Sequence, residues 1–181
     1  MNAVALLGKY FPGEDAFSIV LDHGRRVAAK ALRVAENLES AKLDLGFLEE
    51  AALLHDIGVC GTNAPKFHCH GVEPYIRHGI IGRDILDGEG LPRHALVCER
   101  HIGVGLTADD VISQGLPLPL KEMAPLSLEE KIVCFADLFH SKNPEKCGRE
   151  KTIAEIRKGL LKFGDNKVLI FNKWLKELKY E

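Results

Sequence analysis

The stretch "EEAALLHDIGV", residues 49–59, decides how this chain folds. An Ala- and Leu-rich run of this kind favours an α-helix that packs against a core. At its end stand His55 and Asp56, two ionisable groups side by side in otherwise apolar surroundings. Burying such groups is costly unless they are paired or bind a metal. A lone His-Asp pair has several ordinary explanations, so its meaning depends on what the rest of the chain brings to it.

Outward from that stretch the pattern is helical. Residues 16–39 place Ile19, Val20, His23, Val27, Ala31, Leu32, Val34, Ala35 and Leu38 at spacings of three and four, one apolar stripe on a long helix. Residues 45–58 form a second helix, with Gly58 placed to end it, and residues 74–90 a third, stopped by Gly88 and Gly90. A fourth spans 91–105, with Pro92 in its first turn and Gly103 and Gly105 at its end. A short helix follows Thr107 as its cap, and residues 127–142 open with Ser127 and Glu130 at capping-box spacing. Two amphipathic helices, about 149–163 and 166–179, close the chain. Residues 58–72 and 113–126 read as loops rich in turn residues, and strand signals are scarce. The expectation is an all-α single domain over residues 1–181, a bundle of seven to nine helices.

Composition narrows the function classes. With 24 Lys+Arg against 26 Asp+Glu the net charge is −2, which gives no electrostatic case for nucleic acid duplexes or an anionic membrane as partner. The apolar runs fall far short of the roughly 20 residues of a membrane helix, and the N-terminus lacks a basic segment before its apolar one. Five cysteines without a C-x-x-C pair read as reduced thiols of a cytoplasmic protein, Cys98 and Cys134 as core packing.

Four further positions give the His-Asp pair its context. His23 lies mid-helix among apolar neighbours, His78 in the third helix and His101 near the end of the fourth, while Asp137 interrupts the apolar "CFADLF". One such residue alone is ordinary core chemistry. Six inward groups on five helices are hard to read as six accidents. Imidazole nitrogens and carboxylate oxygens together suit two divalent ions, and neighbouring residues on a helix project about 100° apart, so Asp56 can lie between the ions.

The order His23, His55-Asp56, His78, His101, Asp137, with "HDIG" at 55–58, resembles the metal-dependent HD-domain superfamily, specifically its HDIG subgroup. The likeness runs from about residue 15 to 145, leaving the helices of 149–179 to pack on that core. The resemblance implies His23, His55, Asp56 and Asp137 around one ion and His78 and His101 on a second, with Asp56 bridging. It implies divalent ions (Fe, Mn, Zn, Co, Ni or Mg) as cofactors and a phosphohydrolase acting on a nucleotide or small phosphoester. The assigned group it resembles most is the HD-type symmetrical diadenosine-tetraphosphate hydrolases. Many HDIG proteins place a Lys soon after the motif. Here Val59, Cys60 and Gly61 follow, so that cation is absent or comes from elsewhere. There is no Gly-Tyr-Pro signature of the cyclic-di-GMP branch.

Candidates for the phosphate-binding cation are Arg26, Arg77, Arg100, Lys66 and Lys142, with Arg26 favoured because it shares a helix face with His23. His140, three residues after Asp137, is a candidate proton donor or ligand partner. His68 and His70 belong to a loop, and His94 is expected on the surface. Two other functions stay open: an HD-type di-iron oxygenase acting on a polyol or phosphonate, such as the likeness to myo-inositol oxygenase allows, and a non-catalytic nucleotide sensor. The apolar face of the C-terminal helices, including Phe163, Phe171 and Trp174, either packs on the core or forms a homodimer contact.

Overall fold

The computed structural model describes residues 1–38, 42–142 and 148–180. Among these, nine α-helices follow in order: α1 Ala3–Tyr10, α2 Glu14–Glu36, α3 Leu45–Leu54, α4 His78–Gly88, α5 Pro92–Arg100, α6 Ala108–Ser113, α7 Leu128–Leu138, α8 Ile153–Leu160 and α9 Asp165–Glu177. Between α3 and α4 lies a small antiparallel pair, β1 Asn63–Ala64 and β2 Cys69–His70, pairing Asn63 with His70 and Ala64 with Cys69. The fold is all-α. Glu39 and Cys147, which the sequence placed at a helix end and among the thiols, lie outside the described residues; Cys60, Cys69, Cys98 and Cys134 are free. No described helix is long and apolar enough to cross a membrane.

The apolar stripe of α2 divides between two buried clusters. Val27, Ala31, Val34 and Ala35 pack with Leu48, Ile132, Phe135, Phe139, Phe171 and Trp174, joining α2 to α3, α7 and α9. Val20 and Leu21 pack instead with Leu7, Phe11, Leu54, Ile57, Leu86 and Cys98, joining it to α1, the end of α3, α4 and α5. His23 stands on α2 between these two sets. The polar residues of interest therefore sit where two apolar clusters meet. Phe171 and Trp174 of the C-terminal face are buried against the first cluster, whereas Phe163 is exposed.

Several local details differ from the sequence expectation. Helix α1 was not legible, because its eight residues carry too short a pattern. The third predicted helix starts late: Tyr75–Arg77 is a 3-10 turn and α4 begins at His78. Ser127 accepts from Glu130 N at 3.1 Å, but the return arm of the capping box is missing. The Glu130 carboxylate accepts instead from Arg100 Nη1 at 3.0 and 3.1 Å and from Leu126 N at 2.9 Å, since a charge-assisted bond outcompetes a neutral one. His94 is buried rather than exposed, its ring edge-on to Phe47 at 4.8 Å and 3.4 Å from Glu50. Full capping boxes belong instead to α6, where Thr107 and Asp110 bond each other's backbone, and to α8, where Thr152 and Glu155 do the same.

Asp110 also fixes α9. Lys167 Nζ donates to Asp110 Oδ2 at 2.5 Å and to Gly105 O at 2.9 Å, at the edge of an apolar cavity of about 400 Å³ lined by Leu106, Leu138, Ile156, Leu160 and Phe163. Burial alone would raise the Asp110 pKa, but the bonds from Lys167 and Thr107 outweigh it and hold the carboxyl below its ordinary value. A depressed folded-state pKa means stability that is present at neutral pH and lost as pH falls through the carboxylate range. Asp110→Asn is therefore expected to cost about 1–3 kcal/mol at pH 7 and to flatten the decline of stability below about pH 4, as read by urea unfolding. Equal acid sensitivity of the two proteins would contradict this.

Candidate metal centre

Four histidines and two aspartates converge from five helices. His23 comes from the middle of α2, and His55 is the residue that closes α3, with Asp56 next. His78 opens α4, His101 closes α5, and Asp137 is the penultimate residue of α7. The helix of residue 55 ends at Leu54, earlier than expected, and Ile57–Gly61 continues as a 3-10 turn. Gly58 therefore does not end the helix. It lies inside that turn against α4, where a Cβ would stand 2.9 Å from Gly82 Cα and closer still to His78 O.

The orientation of the rings is set by backbone carbonyls three residues back. Nδ1 of His55 donates to Ala52 O at 2.6 Å, that of His78 to Tyr75 O at 2.7 Å, and that of His101 to Cys98 O at 2.8 Å. Each bond commits the ring proton to Nδ1 and leaves Nε2 as a lone pair facing inward, the tautomer that a metal-ligating imidazole needs.

Asp56 divides the cluster in two. Its Oδ2 faces His23 Nε2 at 3.3 Å and His55 Nε2 at 3.1 Å, and its Oδ1 faces His78 and His101 Nε2, each at 3.5 Å. Asp137 Oδ1 joins the first half, 2.8 Å from His23 Nε2 and 3.6 Å from His55 Nε2. In the second half His78 Nε2 and His101 Nε2 stand only 3.0 Å apart. Their Nδ1 protons are already committed, so in the neutral rings two lone pairs face each other. That arrangement is tolerable only with a proton or a cation between them. His55 Nε2 and Asp56 Oδ1 are buried with no hydrogen-bond partner among the described residues. This acceptor-rich, buried set fits divalent metal ions, and two compact groups stand out, His23/His55/Asp137 and His55/Asp56/His101.

The electrostatics agree with that fit. Burial, with the charge of Lys142, lowers the His23 pKa to about 4, and burial with His101 lowers that of His78 to about 3, so both rings are neutral donors of a lone pair. At His55 burial also opposes the proton, but Asp56 and Asp137 outweigh it and raise the pKa to about 10. Positive charge is thus favoured at the point where the two carboxylates meet. Both carboxyls lie well below their ordinary pKa: burial opposes ionisation, and His55 with Lys142 at Asp56, and Lys142 with His23 at Asp137, overcome it. The Asp137 side chain is 19% exposed while the five other groups are nearly or wholly enclosed, so the centre opens toward solvent on the α7 side.

The cation in contact with the cluster is Lys142, whose Nζ donates to Asp56 Oδ2 at 2.5 Å and lies 3.5 Å from His23 Nε2. Arg26, favoured from sequence, pairs with Asp22 at 3.6 Å. Arg77 bonds Glu73 and Pro117 O, and Arg100 bonds Glu130, so both are engaged away from the centre. Lys66 lies in the exposed turn before β2. His140 lies just past the end of α7 at Leu138, and its backbone N–H closes the last turn on Asp137 O at 3.0 Å. Its Nε2 is buried without a partner, and burial lowers its pKa against the pull of Glu150 and Asp137. His68 and His70 stay on the hairpin, where His68 is 3.8 Å from Asp15.

A helical bundle that gathers imidazoles and carboxylates at one buried point defines a class of metal-binding α-proteins. Residues 20–142 match the HD domain model, and the chain belongs to that family. An uncharacterised protein of Methanocaldococcus jannaschii is 37% identical over 131 residues, 70% of each chain. Two tRNA (cytidine(56)-2'-O)-methyltransferases are also similar, from Picrophilus torridus (34% identity, 72% of this chain, 37% of theirs) and Thermoplasma volcanium (32%, 73% and 33%). The match thus spans about a third of the length of these two methyltransferases. Among solved structures, the HD domain of the L. monocytogenes phosphodiesterase PgpH superposes with a TM-score of 0.56 over 96% of this chain and 95% of its own, at 15% identity. That likeness is one of fold.

Proposed function

We propose that this protein is a metal-dependent phosphohydrolase that cleaves a nucleotide or another small phosphoester, with His23, His55, Asp56 and Asp137 holding one divalent ion and His78, His101 and Asp56 a second. The observation that carries the proposal is the placement of Asp56, each of whose oxygens faces a separate set of imidazole Nε2 atoms. Divalent ions in such a site supply Lewis acidity toward a phosphoryl oxygen and bring the ionisation of a water toward neutral pH. The chain's own residues do the rest. The carbonyls of Ala52, Tyr75 and Cys98 hold three rings in place, so these rings need not reorient when a ligand arrives. The partial exposure of Asp137 marks the side from which a phosphoester reaches the centre. Lys142 lies on that side, 11% exposed, with its ammonium in reach of a phosphate oxygen.

The PgpH likeness supports the fold and the HD family supports a metal-dependent hydrolase. Methyl transfer is no part of the proposal: the relatives so named are about three times longer than the matched stretch, and the cluster offers acceptors suited to cations. The test is release of phosphate or alcohol from a panel of nucleotides and model phosphoesters, with and without added Mn²⁺, Fe²⁺, Co²⁺ or Mg²⁺. Hydrolysis is expected only with metal, and His55→Ala is expected to lower it by about 1000-fold or more, since a buried ligand is lost outright. Full activity in His55→Ala would overturn the assignment. Iron content with O₂ uptake on a polyol or phosphonate would replace it with oxygenase chemistry.

A further inference from the structure

The two halves of the cluster differ in one respect that their ligands do not explain. Asp56 Oδ2, on the His23 and His55 side, accepts from the Lys142 ammonium at 2.5 Å. Asp56 Oδ1, on the His78 and His101 side, is buried with no hydrogen-bond partner among the described residues. Lys142 is also 3.5 Å from His23 Nε2, so its nitrogen stands among the same acceptors that would hold an ion. A unit positive charge among the atoms that would hold a divalent ion would be repelled strongly by it in a site this enclosed. The ammonium and the ion therefore compete for one oxygen.

We propose that Lys142 is an internal competitor for metal at the His23/His55/Asp137 half: it neutralises the buried carboxylates when no ion is there, and it must release Asp56 Oδ2 for an ion to bind. Two consequences follow. Metal affinity is unequal between the halves, because among the described residues no such cation bonds Asp56 Oδ1. The displaced ammonium also stays near the centre, within electrostatic reach of Tyr75. Tyr75 stacks on His78 with ring centroids 4.7 Å apart, so this alternative partner belongs to the opposite half. On the phosphohydrolase reading, which this inference builds on, the released Lys142 becomes the cation that the sequence after "HDIG" does not supply.

The experiment is calorimetric titration of metal-free wild-type protein, Lys142→Met and Lys142→Arg with Mn²⁺, without substrate. Lys142→Met is expected to bind one Mn²⁺ about tenfold or more tightly than wild type, because the competing charge is gone, while Lys142→Arg stays near wild type. Thermal unfolding should show the reverse order in metal-free protein: Lys142→Met unfolds at lower temperature, with Asp56 and Asp137 left uncompensated, and Mn²⁺ restores it to wild-type stability or beyond. If the Met variant does not fold without metal, Lys142→Gln, which retains a hydrogen bond to Asp56 but no charge, carries the same expectation. Unchanged or weaker Mn²⁺ affinity in a folded, uncharged variant overturns the proposal. Absence of Mn²⁺ binding in wild type and variants alike overturns the metal reading beneath it.

Discussion

Asp56→Asn is expected to reduce metal-dependent hydrolysis by at least about 1000-fold and to disturb both halves of the centre, whereas Asp137→Asn weakens one half and costs about 10- to 100-fold. The contrast follows from geometry. Asp56 presents one oxygen to His23 and His55 at 3.3 and 3.1 Å and the other to His78 and His101 at 3.5 Å. An asparagine has one carbonyl oxygen and one NH₂ group, so whichever way it turns, one half meets a donor where it needs an acceptor. It also removes a negative charge common to both halves. Among the described residues of the cluster, Asp137 lies beside His23, at 2.8 Å, and His55, at 3.6 Å, so its loss is expected to leave the His78/His101 half intact. Rates at saturating Mn²⁺, with metal content of the purified variants, separate the cases. An Asp56→Asn protein that retains two ions and more than a tenth of wild-type activity would remove the bridging role.

Six ionisable residues were legible because each interrupts an apolar stripe, and a helical stripe tells which way a residue points. His23 among Val20, Val27 and Ala31 is the clearest case, and it lies 2% exposed in the structure. What the sequence could not show is what happens past the helix ends. Lys142 reaches Asp56 because α7 stops at Leu138 and the chain then departs from the helical path. Arg26 is favoured by the face it shares with His23, but the same helical spacing sets Asp22 one turn before it, and the two pair at 3.6 Å. His94 was misjudged for another reason: its partners Phe47 and Glu50 come from α3, distant in sequence. Glu130 has the spacing of a capping box, but a long-range arginine claims it. The local pattern fixes helices and inward faces; competition between partners is decided by tertiary packing.

Gly58→Ala is expected to destabilise the protein by about 3 kcal/mol or more, a large effect for one added methyl group. A Cβ at residue 58 would overlap His78 O and Gly82 N and stand 2.9 Å from Gly82 Cα. All three are backbone atoms of α4, so no side chain can swing aside to make room. The 3-10 turn after Asp56 and helix α4 must separate, and His78 is the first residue of that helix. α4 is in turn pressed on α5, where a Cβ at Gly79 would come 2.7 Å from Cys98 O. That carbonyl is the one that orients His101. The glycine thus sets the distance between Asp56 and the two histidines of the second half, a function distinct from ending a helix. Gly88→Ala is the control, since open space surrounds Gly88 near the end of α4 and alanine is the better helix former by about 0.5–1 kcal/mol. Urea unfolding of the three proteins measures the stabilities, and Mn²⁺ titration shows whether Gly58→Ala loosens the His78/His101 half. A Gly58→Ala protein within about 0.5 kcal/mol of wild type, binding both ions normally, would show that the α4 backbone yields without cost and that the close approach does not hold the centre together.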